Sequence, residues 1–99
     1  MTAGVVIIGG GVMGSAVAYF LRQLGFRGKV LMVERDLTYR HASTALSVGG
    51  IRQQYGTAIN VRLSLLSREK LMRFEEETGV DPGYEQAGYL WLAGSEASL

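Results

Sequence analysis

The rhythm of apolar and polar positions changes repeatedly along this chain. Val5, Val6, Ile7 and Ile8 form an unbroken apolar run, Gly9, Gly10 and Gly11 follow, and Val12, Met13, Ala16, Val17, Phe20, Leu21 and Leu24 then recur at helical spacing. A β-branched run, a glycine turn and a helical stripe predict a strand, a tight turn and a helix, with Gly25 placed to stop that helix. The apolar run Lys29–Val33 predicts a second strand that ends at Glu34. Further on, Ile59, Leu63, Leu66, Leu71 and Phe74 recur at three- to five-residue steps, with Arg62, Arg68, Glu69, Arg73 and Glu76 mostly on the other side. This spacing predicts one long amphipathic helix over 57–78, supported by Glu69 and Arg73 at i,i+4 and stopped by Gly79. Glu75, Glu76 and Glu77 then fall at the end disfavoured by the helix dipole, and read as a solvated face rather than a metal site. Val80-Asp81-Pro82-Gly83 predicts a turn. Beyond it, Tyr89 and Trp91 alternating with Leu90 and Leu92 predict a strand buried on both faces.

The glycine turn limits which residues can stand in it, and so what it can bind. Gly9 lets the chain reverse as it leaves the strand, Gly11 clears a side chain where backbone would approach a pyrophosphate, and Gly14 lets the helix lie close on the strand. The anion would be held by unpaired N–H groups at the positive end of the helix. Glu34 lies 20 residues past Gly14, where a dinucleotide-binding unit carries an acid for both hydroxyls of the adenosine ribose. A glycine turn of purely structural purpose has no need of that acid. Arg35 could face a 2′-phosphate, but Glu34 would repel it, so NADP is disfavoured.

Composition narrows the class further. The 99 residues suit one small domain or a piece of one. With 47% hydrophobic and 19% charged residues and a mean hydropathy of +0.14, the chain is expected to fold. A net charge of +1 argues against nucleic acid or an anionic membrane surface as partner. The absence of cysteine excludes disulfides, thiolate metal sites and redox dithiols from these residues. No apolar stretch reaches the roughly 20 residues of a membrane span, and the first apolar run lacks the basic lead of a signal sequence, so a cytoplasmic location is the default expectation. A doubly wound sheet needs more parallel strands than the pair seen here, and Ser95-Glu96-Ala97-Ser98-Leu99 reads as a helix start cut within one turn. Both suggest the front end of a longer chain.

Between Asp36 and Arg52 the chain has small hydroxylated residues and a glycine pair without apolar periodicity. Ser43, Thr44 and Ser47 can donate to phosphate or ribityl oxygens, while Gly49 and Gly50 admit backbone close to a flat ring. Equally, this could be a surface loop with a helix cap inside it.

The turn Gly9-x-Gly11-x-x-Gly14, then Val33-Glu34-Arg35, the run from Ala42 through Gly49-Gly50-Ile51-Arg52 to Tyr55, and Gly88-Tyr89-Leu90-Trp91-Leu92-Ala93 resemble the N-terminal part of FAD-dependent oxidoreductases. The group is the D-amino-acid-oxidase superfamily, in its branch of sarcosine, dimethylglycine and glycine oxidases or dehydrogenases. The resemblance implies an α/β fold: a truncated, three-layer, Rossmann-like βαβ unit for FAD or NAD(P) over 1–80, with the first strand of a substrate domain over 81–99. It implies that Gly9, Gly11, Val12, Met13 and Gly14 form the pyrophosphate turn, that Glu34 takes the ribose, and that Arg35 stands beside the adenine. Ser43, Thr44, Leu46, Ser47, Gly49 and Gly50 would run along the diphosphate and ribityl chain of FAD. Arg52 would pair with the substrate carboxylate over the flavin, as a permanently charged bidentate donor can; the competing reading is a surface ion pair at a helix entrance. Some relatives attach FAD through a histidine in the part matching Ala45–Val48; none stands there, so His41 is expected as a partly exposed loop residue.

The activity implied is oxidation of the C–N bond of a small amine or N-methyl amino acid, with hydride passing to flavin N5 and the imine hydrolysing afterwards. No catalytic acid or base, no metal ligand and no oligomeric state can be named from these residues, and the piece alone is expected to be inactive. An NAD-dependent dehydrogenase would share Gly9–Gly14 and Glu34 but leave Ser43–Gly50 unexplained. A non-catalytic nucleotide-binding assembly or electron-transfer subunit would keep the turn without turnover.

Overall fold

The apolar run after Gly4 becomes β1 (Val5–Ile8), and the run after Lys29 becomes β2 (Val30–Val33). They pair in parallel, Val5 against Val30 through Ile8 against Val33, in a two-stranded sheet. These are the findings of a computed structural model that describes residues 4–96. Ala97, Ser98 and Leu99, most of the expected terminal helix start, lie outside the described residues. Contacts divide the chain into two compact units, Met1–Val48 and Gly49–Leu99.

In the first unit the parallel pairing needs a crossover, and α1 (Val12–Gln23) supplies it, packing on β1. Its end is a Schellman motif, legible in Gly25: Gly25 at φ +86° donates to the Arg22 carbonyl, and Phe26 donates to that of Leu21. Arg22 adds a bond from Nη1 to the Phe26 carbonyl at 2.9 Å. Ile7, 8% exposed, is the one buried apolar side chain among the described residues, whereas Ile8 is 89% exposed. Parallel strands buried on both faces need layers on both sides. Among the described residues α1 packs on β1, and Ile8, on the opposite pleat from Ile7, faces solvent. After β2 the chain folds on Asp36, whose Oδ1 accepts from the amide and hydroxyl of Thr38, and a single helical turn, α2 (Ser43–Leu46), follows. The 36–52 segment thus holds one short helix, whose N-cap position, Ala42, makes no side-chain cap bond.

The second unit departs from expectation in several respects. The predicted single helix over 57–78 is two helices, α3 (Ala58–Met72) and α4 (Phe74–Thr78), broken at Arg73 with φ −101° and ψ 3°. The glutamates therefore lie in the first turn of α4, the end the dipole favours. Arg73 pairs with Glu77 at 3.3 Å and Glu76 at 3.9 Å, not with Glu69, and Lys70 reaches Glu77 at 3.5 Å. The half-buried row of α3 is Val61, Ser64, Arg68 and Leu71, while Ile59, Leu63 and Leu66 are exposed. Arg68 bonds through Nη2 to Gln86 Oε1 at 3.0 Å, so the row faces the segment that follows Gly83. Gly79 stops α4 in the left-handed region as expected. Residues 84–93 contain no strand: with no neighbouring strand to pair with among the described residues, Leu90 and Leu92 stand 86% and 90% exposed.

Candidate functional site

The first unit gathers its polar groups around the turn between β1 and α1. Gly9 reverses the chain at φ +98°, a conformation that a side chain resists, while its own amide continues the sheet by donating to the Val33 carbonyl at 2.8 Å. Gly14 is the point of closest approach. A β-carbon there would run into the Gly9 carbonyl and stand 3.1 Å from Ile7 Cγ2.

Two further amides of the turn are already engaged. Gly10 donates to Glu34 Oε2 at 2.7 Å, and Val12 donates to Thr44 Oγ1 at 3.0 Å. The amides of Gly11, Met13 and Gly14 have no acceptor among the described residues, and the first turn of α1 contains no acid. Three unpaired donors at the positive end of a twelve-residue helix make a site for an anion.

Glu34 stands at the end of β2 on the same side of the unit. Its carboxylate accepts from the Asp36 amide through Oε1 at 2.9 Å and from Gly10 through Oε2. The Asp36 amide, then that of Gly10, hold its pKa below the ordinary carboxylate value, with smaller contributions from Arg35. An ionised carboxylate has about four acceptor positions, so two remain for hydroxyl donors. Amide donors for a diphosphate and an acceptor-only group for a ribose diol fit a dinucleotide such as FAD. Thr44 adds a hydroxyl that accepts from Val12 and keeps its own proton for an oxygen nearby.

Other predicted residues stand differently. Ser43 opens α2, Leu46 closes it at 69% exposure, and Met13 is 76% exposed. His41 is exposed. Gly49, Gly50 and Arg52 belong to the second unit. There the Arg52 guanidinium carbon lies 4.9 Å from the centre of the Tyr55 ring and 5.7 Å from that of Trp91. Arg52 has no carboxylate partner among the described residues. Gly50 lies against Tyr89, whose hydroxyl would be 2.5 Å from a β-carbon on that glycine.

Sequence reasoning missed Gly10 and Tyr39. Gly10 is buried, and a β-carbon on it would stand 2.8 Å from the Tyr39 hydroxyl and 3.2 Å from Met32 Sδ. Tyr39 reaches that position from a left-handed backbone, φ 55°, closing the turn that begins at Asp36. The Asp36-x-Thr38 pattern was the available signal, since such a pair closes its own turn.

A parallel βαβ unit with unpaired amides at its helix end and a carboxylate at the second strand's tip is the arrangement that dinucleotide-binding proteins use. Residues 4–99 match the family described as DAO, FAD dependent oxidoreductase, and the chain belongs to it. The family's cofactor is FAD, which decides against the NAD-dependent reading. The chain is 47% identical to FAD-dependent oxidoreductase domain-containing protein 1 of Xenopus laevis over 97% of its own length and 21% of that protein's. It is 36% identical to human mitochondrial sarcosine dehydrogenase over 99% of its length and 11% of that protein's. To mitochondrial dimethylglycine dehydrogenase of Mus musculus it is 38% identical over 89% of its length and 10% of that protein's. The chain thus spans about a fifth of the first of these relatives. No solved structure matches it. Among the described residues no helix is long and apolar enough to cross a membrane, and no cluster of metal-ligating side chains occurs.

Proposed function

We propose that this chain is the front of an FAD-dependent oxidoreductase acting on the C–N bond of small amines or N-methyl amino acids. The fold would be a Rossmann-like, three-layer FAD domain of which 1–80 form the beginning, with 81–99 leading into a substrate domain. Bound flavin supplies the chemistry by accepting the hydride. The protein's residues bind and orient. Gly9, Gly11, Val12, Met13 and Gly14 cradle the diphosphate, Glu34 accepts from the ribose and Arg35 flanks the adenine. Ser43, Thr44, Leu46, Ser47, Gly49 and Gly50 follow the diphosphate and ribityl chain.

Arg52 carries the substrate reading. Its guanidinium rests against two aromatic rings and pairs with no acid among the described residues, so its N–H edges are available to a carboxylate. A carboxylate held there has its neighbouring C–H oriented by a rigid fork. The names of the sarcosine and dimethylglycine dehydrogenases support N-methylated amino acids as the first compounds to try. The cytoplasmic expectation stands against the mitochondrial names of these two relatives, and fractionation of the tagged full-length protein decides between the compartments.

The test begins with the absorption spectrum of the full-length protein. Bands near ~375 and ~450 nm that pass into the supernatant on acid precipitation establish non-covalent flavin. A screen of N-methylated amino acids follows. In the active protein, Arg52→Lys is expected to raise KM about ten- to a hundredfold, as for loss of a charged contact of about 1.5–3 kcal/mol. An unchanged KM rejects Arg52 as the carboxylate anchor. Bound flavin with no turnover on any amine supports a non-catalytic subunit instead.

A further inference from the structure

We propose that Tyr55 and Trp91 are positioning residues that hold the Arg52 guanidinium against their ring faces as a clamp, with Tyr89 holding the clamp in place; this rests on the reading of Arg52 as carboxylate anchor. The expected reason for aromatics at 89 and 91 was a doubly buried strand, and that reason is absent, since Tyr89 and Trp91 are 48% and 55% exposed. What they touch instead is the segment that carries Arg52.

Both ring centres lie within the roughly 6 Å over which a cation is drawn to an aromatic face. Stacking uses the faces of the planar guanidinium and leaves its in-plane N–H donors free. Those edges are what a carboxylate needs for two parallel bonds. Trp91 is itself held by Tyr89, whose ring lies 6.2 Å away and only 27° from parallel. Tyr89 also stands against Gly50, so two residues of the 50–52 segment meet two residues of the 89–91 segment, each pair separated by one position. A free arginine side chain loses much rotamer freedom when it binds, and one already stacked loses less. The clamp therefore acts on substrate affinity and not on the hydride step.

The test uses the full-length flavoprotein with Tyr55→Leu, Tyr55→Phe, Trp91→Leu, Trp91→Phe and Arg52→Lys. The dissociation constant for acetate is read from the perturbation of the flavin spectrum, beside KM and kcat for sarcosine. Each leucine variant is expected to weaken acetate binding and raise KM about two- to fivefold, with kcat and flavin content unchanged, and each phenylalanine variant to recover most of the loss. Leucine variants that bind acetate like wild type, while Arg52→Lys binds it weakly, overturn the clamp and leave the anchor standing. If Arg52→Lys also binds acetate normally, the anchor reading fails and the clamp with it. Should a leucine variant lose its flavin, fluorinated tryptophans placed at Trp91 replace it, since fluorine drains the ring face at nearly constant shape. Acetate affinity falling with each added fluorine supports the clamp, and a flat series overturns it.

Discussion

Gly10 donates its amide to Oε2 of Glu34 at 2.7 Å, across 24 positions of sequence, so the turn after the first strand and the tip of the second are joined by one charge-assisted bond. The other carboxylate oxygen takes the Asp36 amide, and both oxygens therefore serve as acceptors at once. Glutamine cannot reproduce this, because its amide nitrogen would face one of the two N–H donors. Glu34→Gln in the full-length protein is expected to weaken FAD about ten- to a hundredfold, the range for bonds to a charged group. Flavin fluorescence recovered on titrating apoprotein checks it, and wild-type affinity would remove Glu34 from the cofactor site.

The same carboxylate predicts an acid dependence. The Asp36 amide, followed by that of Gly10, lowers the pKa of Glu34 from 4.5, and the hydroxyl and amide of Thr38 lower that of Asp36 from 3.8. A carboxyl group with a depressed folded pKa contributes stability above its unfolded value and loses it as pH falls through the folded value. The advantage of wild type over Glu34→Gln in melting temperature is thus expected to be full above about pH 5 and to shrink steadily as pH drops below 4.5. Parallel melting curves at every pH would show that Glu34 is not the group responsible.

The readable parts of this fold are those set by neighbours in sequence. β1, the turn, α1 and its end at Gly25 follow from period, β-branching and glycine, and the Glu34 position follows from its distance to Gly14. What could not be read depends on partners far along the chain. Nothing near Thr44 announces that its hydroxyl caps an amide 32 positions earlier. Nothing near Trp91 announces Arg52, and an alternating aromatic segment reads as a strand whether or not a neighbour exists to pair with it. The break at Arg73 has no proline or glycine to mark it, and the ion pairs of Lys70 and Arg73 with Glu76 and Glu77 tie the end of α3 to α4 across it. The apolar positions of α3 gave a face by spacing, but which face is covered depends on Gln86 and its neighbours.

Thr44 tests whether the loop after β2 is tied to the helix end. Its Oγ1 accepts from the Val12 amide, a first-turn donor that has no acceptor within the helix. Thr44→Val keeps the shape and removes the acceptor, so it is expected to cost about 1 kcal/mol and speed hydrogen exchange at Val12 about fivefold, while Thr44→Ser restores both. Exchange at Val12 that is the same in all three proteins would place Thr44 outside the cap.

Gly14 and Gly56 make a pair of opposite sign. In a helix, Gly→Ala ordinarily stabilises by about 1 kcal/mol, because alanine has less backbone entropy to lose. At Gly14 that gain meets a steric limit: the new methyl would overlap the Gly9 carbonyl and press on Ile7, the buried side chain of β1. Neither neighbour can yield cheaply, since Gly9 is held to Val33 through its amide and Ile7 lies between the strand and α1. Gly14→Ala is therefore expected to destabilise by about 1–3 kcal/mol net, the usual range for overpacking, and to lose flavin as the turn shifts. Gly56 has no atom within 4 Å of a β-carbon and no positive φ, so Gly56→Ala is expected to be neutral or to stabilise by up to about 1 kcal/mol. Calorimetric melting of the two variants beside wild type separates the effects. Equal stability of both would mean that α1 can move off β1 without cost, and the close strand–helix contact at Gly14 would then have no part in holding the turn.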